Sequence, residues 1–399
     1  MDHQIRVLNC ISDSRFGGPH RRNFATAERL RADHIETLFL FGQKEDAVVG
    51  PDASKHIYLK HLQFMRRRRP VLGLLLFLIF LPVNTLRIRK LIRDHRIDIV
   101  HIDGIANVVP ALAARLTRRP VVCHYNDHLP RLLERFLVPM VAALSAKIIV
   151  QGEKLRQSRT QGRPALERKT IVIYGGLDTR QFDPARYDAQ SRQQLRAELG
   201  IAPTCPLIGA VGNLNPMKGH DIFIDAARKV KAAMPDARFI IVGRRLETAP
   251  AWWQRLQRLT TELGLQNDVI FAGFQEDIPA ILSILDVFVL SSVAESCPCA
   301  LLEAMAMKVP VVTTDVGAAA ELVIDGQTGR VVPARDAGAI AQAVLAYLTG
   351  PAPQTEAMTE AARKRVVTEF EIDRIATQQR KVYEDLVSSR PVENRARGQ

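Results

Sequence analysis

Two glutamates separated by seven residues, Glu295-Ser-Cys-Pro-Cys-Ala-Leu-Leu-Glu303, stand where an apolar run gives way to the start of a helix. The run Asp286-Val-Phe-Val-Leu290 reads as a buried strand, and Pro298 marks a helix start because proline suits the first turn. Glu295 then lies in the loop and Glu303 on the helix. Carboxylates divided this way accept hydrogen bonds from two sets of ligand hydroxyls, while the free N–H groups after Pro298 face an anion between them. Acidic residues also favour helix N-termini through the dipole alone, so the spacing by itself fits both readings. A sugar joined to a nucleotide diphosphate presents the matching order of hydroxyls, phosphates and hydroxyls.

A second segment supplies the charge that such a ligand needs. Pro206-Leu-Ile-Gly-Ala-Val-Gly212 reads as a strand, His220 to Met234 as a helix with apolar residues at helical spacing, and Ala237 to Gly243 as the next strand. In a βαβ unit of this kind ligands bind at the carboxyl ends of the strands, where the loop Asn213 to Gly219 falls. Lys218 is a compact cation beside Gly219, where backbone approaches closely, and it is placed to offset charge on a leaving diphosphate. As a solvated loop cation it contributes little to folding, so Lys218→Ala is expected to leave stability nearly unchanged.

These segments together resemble family 4 of the retaining glycosyltransferases. The resemblance runs from Asp286 through Glu303 to Gly317, then through Glu321-Leu-Val-Ile-Asp-Gly-Gln-Thr-Gly329 and Val332-Pro333. Val211-Gly-Asn-Leu-Asn-Pro-Met-Lys218-Gly219 is similar to the family's phosphate loop, Ile173-Tyr-Gly-Gly-Leu-Asp178 with Phe182 to its interdomain signature, and Gly17-Gly18 to its N-terminal glycine loop. The fold that the resemblance implies is α/β, two Rossmann-like domains facing across a cleft, the arrangement called GT-B. The boundaries expected are 1–178 for the acceptor-side domain, 179–369 for the nucleotide-sugar domain, and 370–399 for a C-terminal helix returning to the first domain with a polar tail. Thr179 to Pro206, lower in hydrophobicity, reads as the hinge.

By the same resemblance Glu303 binds the nucleotide ribose and Glu295 the hydroxyls of the transferred sugar. Gly17 and Gly18 let their loop approach the donor, and Leu302 joins the donor-binding set. The acceptor attacks on the face from which the diphosphate leaves, and a phosphate oxygen takes its proton, so neither a metal nor another cofactor is expected beyond the nucleotide sugar. Two departures stand out. Asn213 occupies the position of a common phosphate-binding arginine, leaving Arg244 or Arg245 to supply that cation. Asn126-Asp127 stands in place of a His-Asp pair, flanked by His124 and His128, and His124, Asn126 and Asp127 are carried as candidate sugar or acceptor contacts.

Composition sets the outer limits. The 399 residues, 47% hydrophobic and 24% charged, suit two ordinary globular domains. Cys10, Cys123, Cys205, Cys297 and Cys299 are odd in number and scattered, which suggests neither a disulfide framework nor a zinc site and points to a reducing compartment. Gln4 to Ile11 is a short strand-like run rather than a signal peptide, so a cytoplasmic protein is expected.

The formal charge of +13 is concentrated. Residues 60–96 carry ten Lys or Arg and one acid around the thirteen-residue apolar run Val71 to Val83. As a helix that run reaches about 20 Å, short of a ~30 Å hydrocarbon core. Its two phenylalanines make no stacking platform for bases, so nucleic acid is not the expected partner. A monotopic contact with anionic lipid is expected instead, with Arg66 to Arg69 at headgroups and side chains such as Leu75 and Phe77 at the interface. The expected function is transfer of a sugar from a nucleotide diphosphate to a glycan or lipid-linked acceptor in cell-envelope polysaccharide synthesis. A nucleotide-sugar epimerase would instead turn over donor without acceptor, and a non-catalytic binding protein would release no nucleotide.

Overall fold

The computed structural model describes residues 4–11, 18–42, 55–60, 62, 70–126, 131–246 and 249–389. Gly17, Arg66 to Arg69, Asp127 and His128 lie outside these residues. The chain divides into two compact units, Met1–Gly176 with Ile372–Gln399, and Leu177–Glu371.

In the first unit seven strands form a parallel sheet: β1 (Ile5–Ile11), β2 (Ile35–Phe41), β3 (His56–Tyr58), β4 (Ile99–Asp103), β5 (Val121–His124), β6 (Lys147–Val150) and β7 (Thr170–Val172). Their spatial order is β3-β2-β1-β4-β5-β6-β7, so the winding direction reverses between β1 and β4. The helices are α1 (Gly18–Ala32), α2 (Pro70–Asp94), α3 (Val108–Leu116), α4 (Arg131–Leu144), α5 (Glu153–Thr160) and α6 (Pro164–Glu167). Strand periodicity sorts the core: Leu8 and Cys10 pack on one face with α2, α3 and α4, while Ile5 and Val7 pack on the other.

The second unit begins with α7 (Ala189–Glu198) and carries β8 (Leu207–Val211), β9 (Arg238–Val242), β10 (Val269–Gly273), β11 (Val287–Leu290), β12 (Val311–Thr314) and β13 (Arg330–Val332). They pair in parallel in the order β10-β9-β8-β11-β12-β13, reversing between β8 and β11. Around them lie α8 (His220–Ala233), α9 (Pro250–Glu262), α10 (Ile278–Ser283), α11 (Cys299–Ala306), α12 (Ala319–Leu322), α13 (Ala337–Thr349) and α14 (Ala352–Glu369). The last helix, α15 (Ile372–Ser388), belongs to the first unit. Its Tyr383, Ile375 and Val382 complete the core with Ile5 and Val7, and Arg29–Asp373 and Arg380–Asp33 pairs at 2.8 and 2.7 Å fasten it to α1 and the turn that follows.

Two expectations change. The stretch read as a hinge holds α7, which belongs to the second unit because Arg196 donates to the Cys205 and Ile284 carbonyls and pairs with Asp286 at 2.9 Å. The apolar run is only the first half of α2, which continues past Pro82 through the basic stretch for 25 residues, about 38 Å. By length and hydropathy Leu72–Asp94 suffices to cross a membrane. One face of it is nevertheless core: Phe77, Ile88 and Ile92 are buried with Leu8 and Val100, and the Asn84 amide donates to the Lys60 carbonyl at 2.9 Å. Phe77 is therefore a packing residue rather than an interfacial one, whereas Leu75 and Ile79 are 52% and 64% exposed. Phe77→Ala should cost about 3–5 kcal/mol and Ile79→Ala within about 0.5 kcal/mol, read by urea denaturation. Equal costs would contradict this facing of α2.

Candidate active site

The second unit gathers its chemical residues where the order of its sheet reverses, at the carboxyl ends of β8 and β11. After β8 the chain turns through Asn215, whose side-chain oxygen accepts the Met217 N–H at 2.9 Å and caps a single 3-10 turn over Pro216–Lys218. Gly219 ends that turn in the left-handed region at φ 63° and begins α8. A side chain could not replace its hydrogen, since a Cβ would lie 2.1 Å from the Ser291 carbonyl oxygen. The Ser291 hydroxyl in turn donates to the Lys218 carbonyl at 3.1 Å, and the Val293 N–H to the Met217 carbonyl at 2.8 Å. Two loops far apart in sequence are thus locked edge to edge.

That locking brings Lys218 Nζ to 2.7 Å from Glu295 Oε1. The Ser292 hydroxyl donates to the same carboxylate oxygen at 2.7 Å, and the Ser292 carbonyl accepts from Thr314 at 2.7 Å. Burial alone would lower the Lys218 ammonium, but the Glu295 charge and hydrogen bond outweigh it and hold the lysine above its ordinary value. Lys218 and Glu295 are 24% and 12% exposed, so the lysine is not the solvated loop cation expected. Its removal strands a largely buried carboxylate, and a stability cost of about 1–3 kcal/mol replaces the expected neutrality. His220 supports the loop from beneath: buried and held neutral with a pKa lowered to about 4, chiefly by desolvation, it places Nε2 3.1 Å from the Gly212 carbonyl oxygen.

On the far side of Glu295, Pro298 caps α11 with an extended backbone, and helix proper starts at Cys299, one residue later than the sequence suggests. Glu303 is buried on this helix, and the Leu302 side chain is wholly enclosed, so Leu302 offers a ligand only its backbone. Asn213 uses its side-chain oxygen to accept the Arg244 N–H at 3.2 Å, tying the ends of β8 and β9. The Arg244 guanidinium lies over the Phe274 ring at 4.8 Å and that of Arg245 over Trp253 at 5.4 Å. Lys218, Glu295, Glu303, Asn213 and Arg244 thus all fall on this one unit. Among the described residues no group of three or more His, Cys, Asp or Glu is arranged to hold a metal ion.

The first unit carries a second polar cluster at its own reversal point. Asp103, at the end of β4, pairs with Arg22 at 3.1 Å and accepts from Asn23 at 2.6 Å and Asn126 at 2.8 Å. Arg22 and Asp103 are 7% and 5% exposed, so Arg22 is neither solvated nor free for a ligand. Sequence reasoning reached Asn126 but missed Asp103 and Asn23, although an acid ending the apolar run Ile99 to Ile102 was a usable signal. Gly18 opens α1 in the same unit.

His124 sits at the end of β5 in a buried relay. The Gln379 amide donates to the Tyr383 oxygen at 2.7 Å, Tyr383 lies 2.5 Å from His101 Nδ1, and His101 Nε2 lies 2.8 Å from His124 Nδ1. A Tyr383 O–H donated to His101 Nδ1 and a His101 Nε2–H donated to His124 Nδ1 form one set of neutral tautomers that satisfies these distances. Burial keeps both rings neutral, lowering His101 to about 4 and His124 well below its ordinary value. Between pH 6.5 and 4 the unfolded chain binds protons that these rings do not, so stability falls as pH falls across that window. His101→Gln should flatten that acid limb by about 3 kcal/mol, measured as urea stability against pH. An unchanged slope would contradict the neutral pair.

Comparison with known proteins places both units. Residues 191–365 match the model of glycosyl transferases group 1, and residues 16–181 that of glycosyltransferase family 4. Over 232 residues the chain is 33% identical to the lipopolysaccharide core biosynthesis mannosyltransferase LpsB of Rhizobium meliloti (strain 1021), covering 57% of this chain and 65% of that protein. It spans just under two thirds of that relative. It is 29% identical over 287 residues to the GDP-mannose-dependent alpha-(1-6)-phosphatidylinositol monomannoside mannosyltransferase of Mycolicibacterium smegmatis, covering 68% of this chain and 72% of that one. Among solved structures, Anabaena HepE in complex with UDP-glucose superposes with a TM-score of 0.80 at 24% identity, over 96% of this chain and all of the other.

Proposed function

The chain belongs to family 4 of the glycosyltransferases of GT-B fold, and we propose that it moves a hexose from a nucleotide diphosphate to a glycan or lipid-linked acceptor with retention of configuration. The observation that carries this reading is the Lys218–Glu295 pair, 2.7 Å apart at the reversal point of the second sheet. A cation and a carboxylate at adjacent points match the adjacent phosphate and sugar of such a donor. The two mannosyltransferase relatives make GDP-mannose the first donor to test, and the HepE complex makes UDP-glucose the second.

In the proposed reaction the bond from the anomeric carbon to the diphosphate oxygen breaks as an acceptor hydroxyl attacks from the same face. The departing phosphate oxygen takes the acceptor proton. Lys218 and the first N–H groups of α11 offset the negative charge that develops on the diphosphate, a role that a divalent cation fills in other sites. Glu295 accepts hydrogen bonds from the sugar hydroxyls and favours positive character at the ring, while Glu303 accepts from the ribose. Arg244, in the loop just after β9 and bonded through its N–H to Asn213, stands in for the arginine that Asn213 replaces. By the family resemblance Gly17 and Gly18 let their own loop approach the donor, and His124, Asn126 and Asp127 are carried as candidate sugar or acceptor contacts. The setting we assign is envelope polysaccharide synthesis at the cytoplasmic membrane face.

The roles separate in kinetics. Glu303→Gln should mainly raise KM for donor, whereas Glu295→Gln should mainly lower kcat, because its contacts strengthen in the transition state. Lys218→Ala should lose about 10²–10³ in kcat/KM while staying folded. Transfer should persist in chelator, and the product should show the donor's anomeric configuration by proton NMR. Wild-type rates in both glutamate variants would remove the assignment, and an inverted product would remove the mechanism.

A further inference from the structure

We propose that the outer face of α2 docks this protein on an anionic lipid bilayer, lying in the interface rather than crossing it. At 100° per residue, Leu72, Leu75, Ile79, Val83 and Leu86 fall on one stripe, and all are exposed. The same stripe continues through Lys90 and Arg93, also exposed, so it is apolar for four turns and basic for the last two. Arg87 adds a further exposed cation beside it. Directly opposite lie Phe77, Ile88 and Ile92, buried in the core of the first unit.

This division decides the mode of contact. A helix that crossed a bilayer would have to draw its buried face out of that core, whereas an interfacial helix keeps Phe77, Ile88 and Ile92 packed and sinks only its outer stripe. The apolar turns then enter the acyl boundary while Lys90 and Arg93 meet lipid phosphates. On the same sheet face α4 also leaves Phe136 68% exposed and Met140 37% exposed.

Charge selects the lipid surface over a second copy of the chain. Residues 60–96 hold ten Lys or Arg against Asp94 alone, so two copies meeting through α2 would bring like charges together with almost no carboxylate to offset them. An anionic headgroup layer supplies that countercharge, and each basic residue near it strengthens binding severalfold.

Flotation of the full-length protein with vesicles of equal phosphatidylglycerol and phosphatidylcholine, against phosphatidylcholine alone, tests the proposal without donor or acceptor. Its failure would therefore leave the sugar-transfer reading standing, and the reverse also holds. The protein should float with the anionic vesicles and dissociate as salt rises. Leu75→Gln with Ile79→Gln should weaken binding about a hundredfold with unchanged thermal unfolding. Lys90→Gln with Arg93→Gln should weaken it about thirtyfold and lessen its salt dependence. A wild-type protein that stays out of the vesicle fraction overturns the proposal. A dimer in solution that Ile79→Gln dissociates would assign the face to a second copy instead. Binding that survives the Leu75 and Ile79 substitutions would place docking elsewhere.

Discussion

A lysine and a glutamate from two different strand ends, held 2.7 Å apart, are the constraint around which the second unit is arranged. A largely buried ion pair gains little over well-packed apolar side chains, so stability alone is a weak reason to build one. Here the surrounding backbone is shaped to permit it. Gly219 lets its loop touch the Ser291 carbonyl, and Gly317, at φ 53°, lets the following loop touch the Glu295 carbonyl, where a Cβ would come within 2.0 Å. Ser292, Thr314 and His220 then fix the same segments through hydrogen bonds. The result is a site whose charged atoms are in place through packing of the scaffold, which is what electrostatic stabilisation of a leaving group requires.

The two units repeat one principle with different outcomes. In both, a parallel sheet reverses its winding beside the first strand, and polar residues collect at the carboxyl ends there. In the second unit those residues form a largely buried pair of cation and carboxylate, 24% and 12% exposed. In the first, Arg22, Asn23 and Asn126 all converge on Asp103, and the charges are consumed internally. Asp103 and the His101–His124–Tyr383 relay position what borders them, and α15 contributes directly through Tyr383 and Gln379. The C-terminal helix is therefore part of the polar interior of the first unit as well as its apolar core.

Much of this was legible in the sequence because it rests on local periodicity and on glycine and proline punctuation. The strands ending at Val211 and Leu290, the helix from His220, and the placement of Lys218 and Glu295 on loops all follow from such signals. What escaped depends on tertiary context. Nothing local shows that Arg22 is buried while Arg31 is exposed, since that depends on Asp103 eighty-one residues away. The apolar run in α2 revealed its hydrophobicity but not its facing, because Leu75 and Phe77 differ only in which side of the helix meets the sheet. The supposed hinge failed for a similar reason: α7 is poor in apolar residues and is held through Arg196 to carbonyls that no composition count reveals.

In the function proposed above, a nucleotide diphosphate sugar is held between the loop ending at Gly219 and the start of α11. Hydrogen–deuterium exchange on the intact protein, with and without saturating GDP-mannose or UDP-glucose, tests it most directly. Exchange should slow over residues 212–219 and 292–303 with at least one of these donors, and change little at β13. Binding that protects neither segment, or protects only regions away from Lys218 and Glu295, would contradict it.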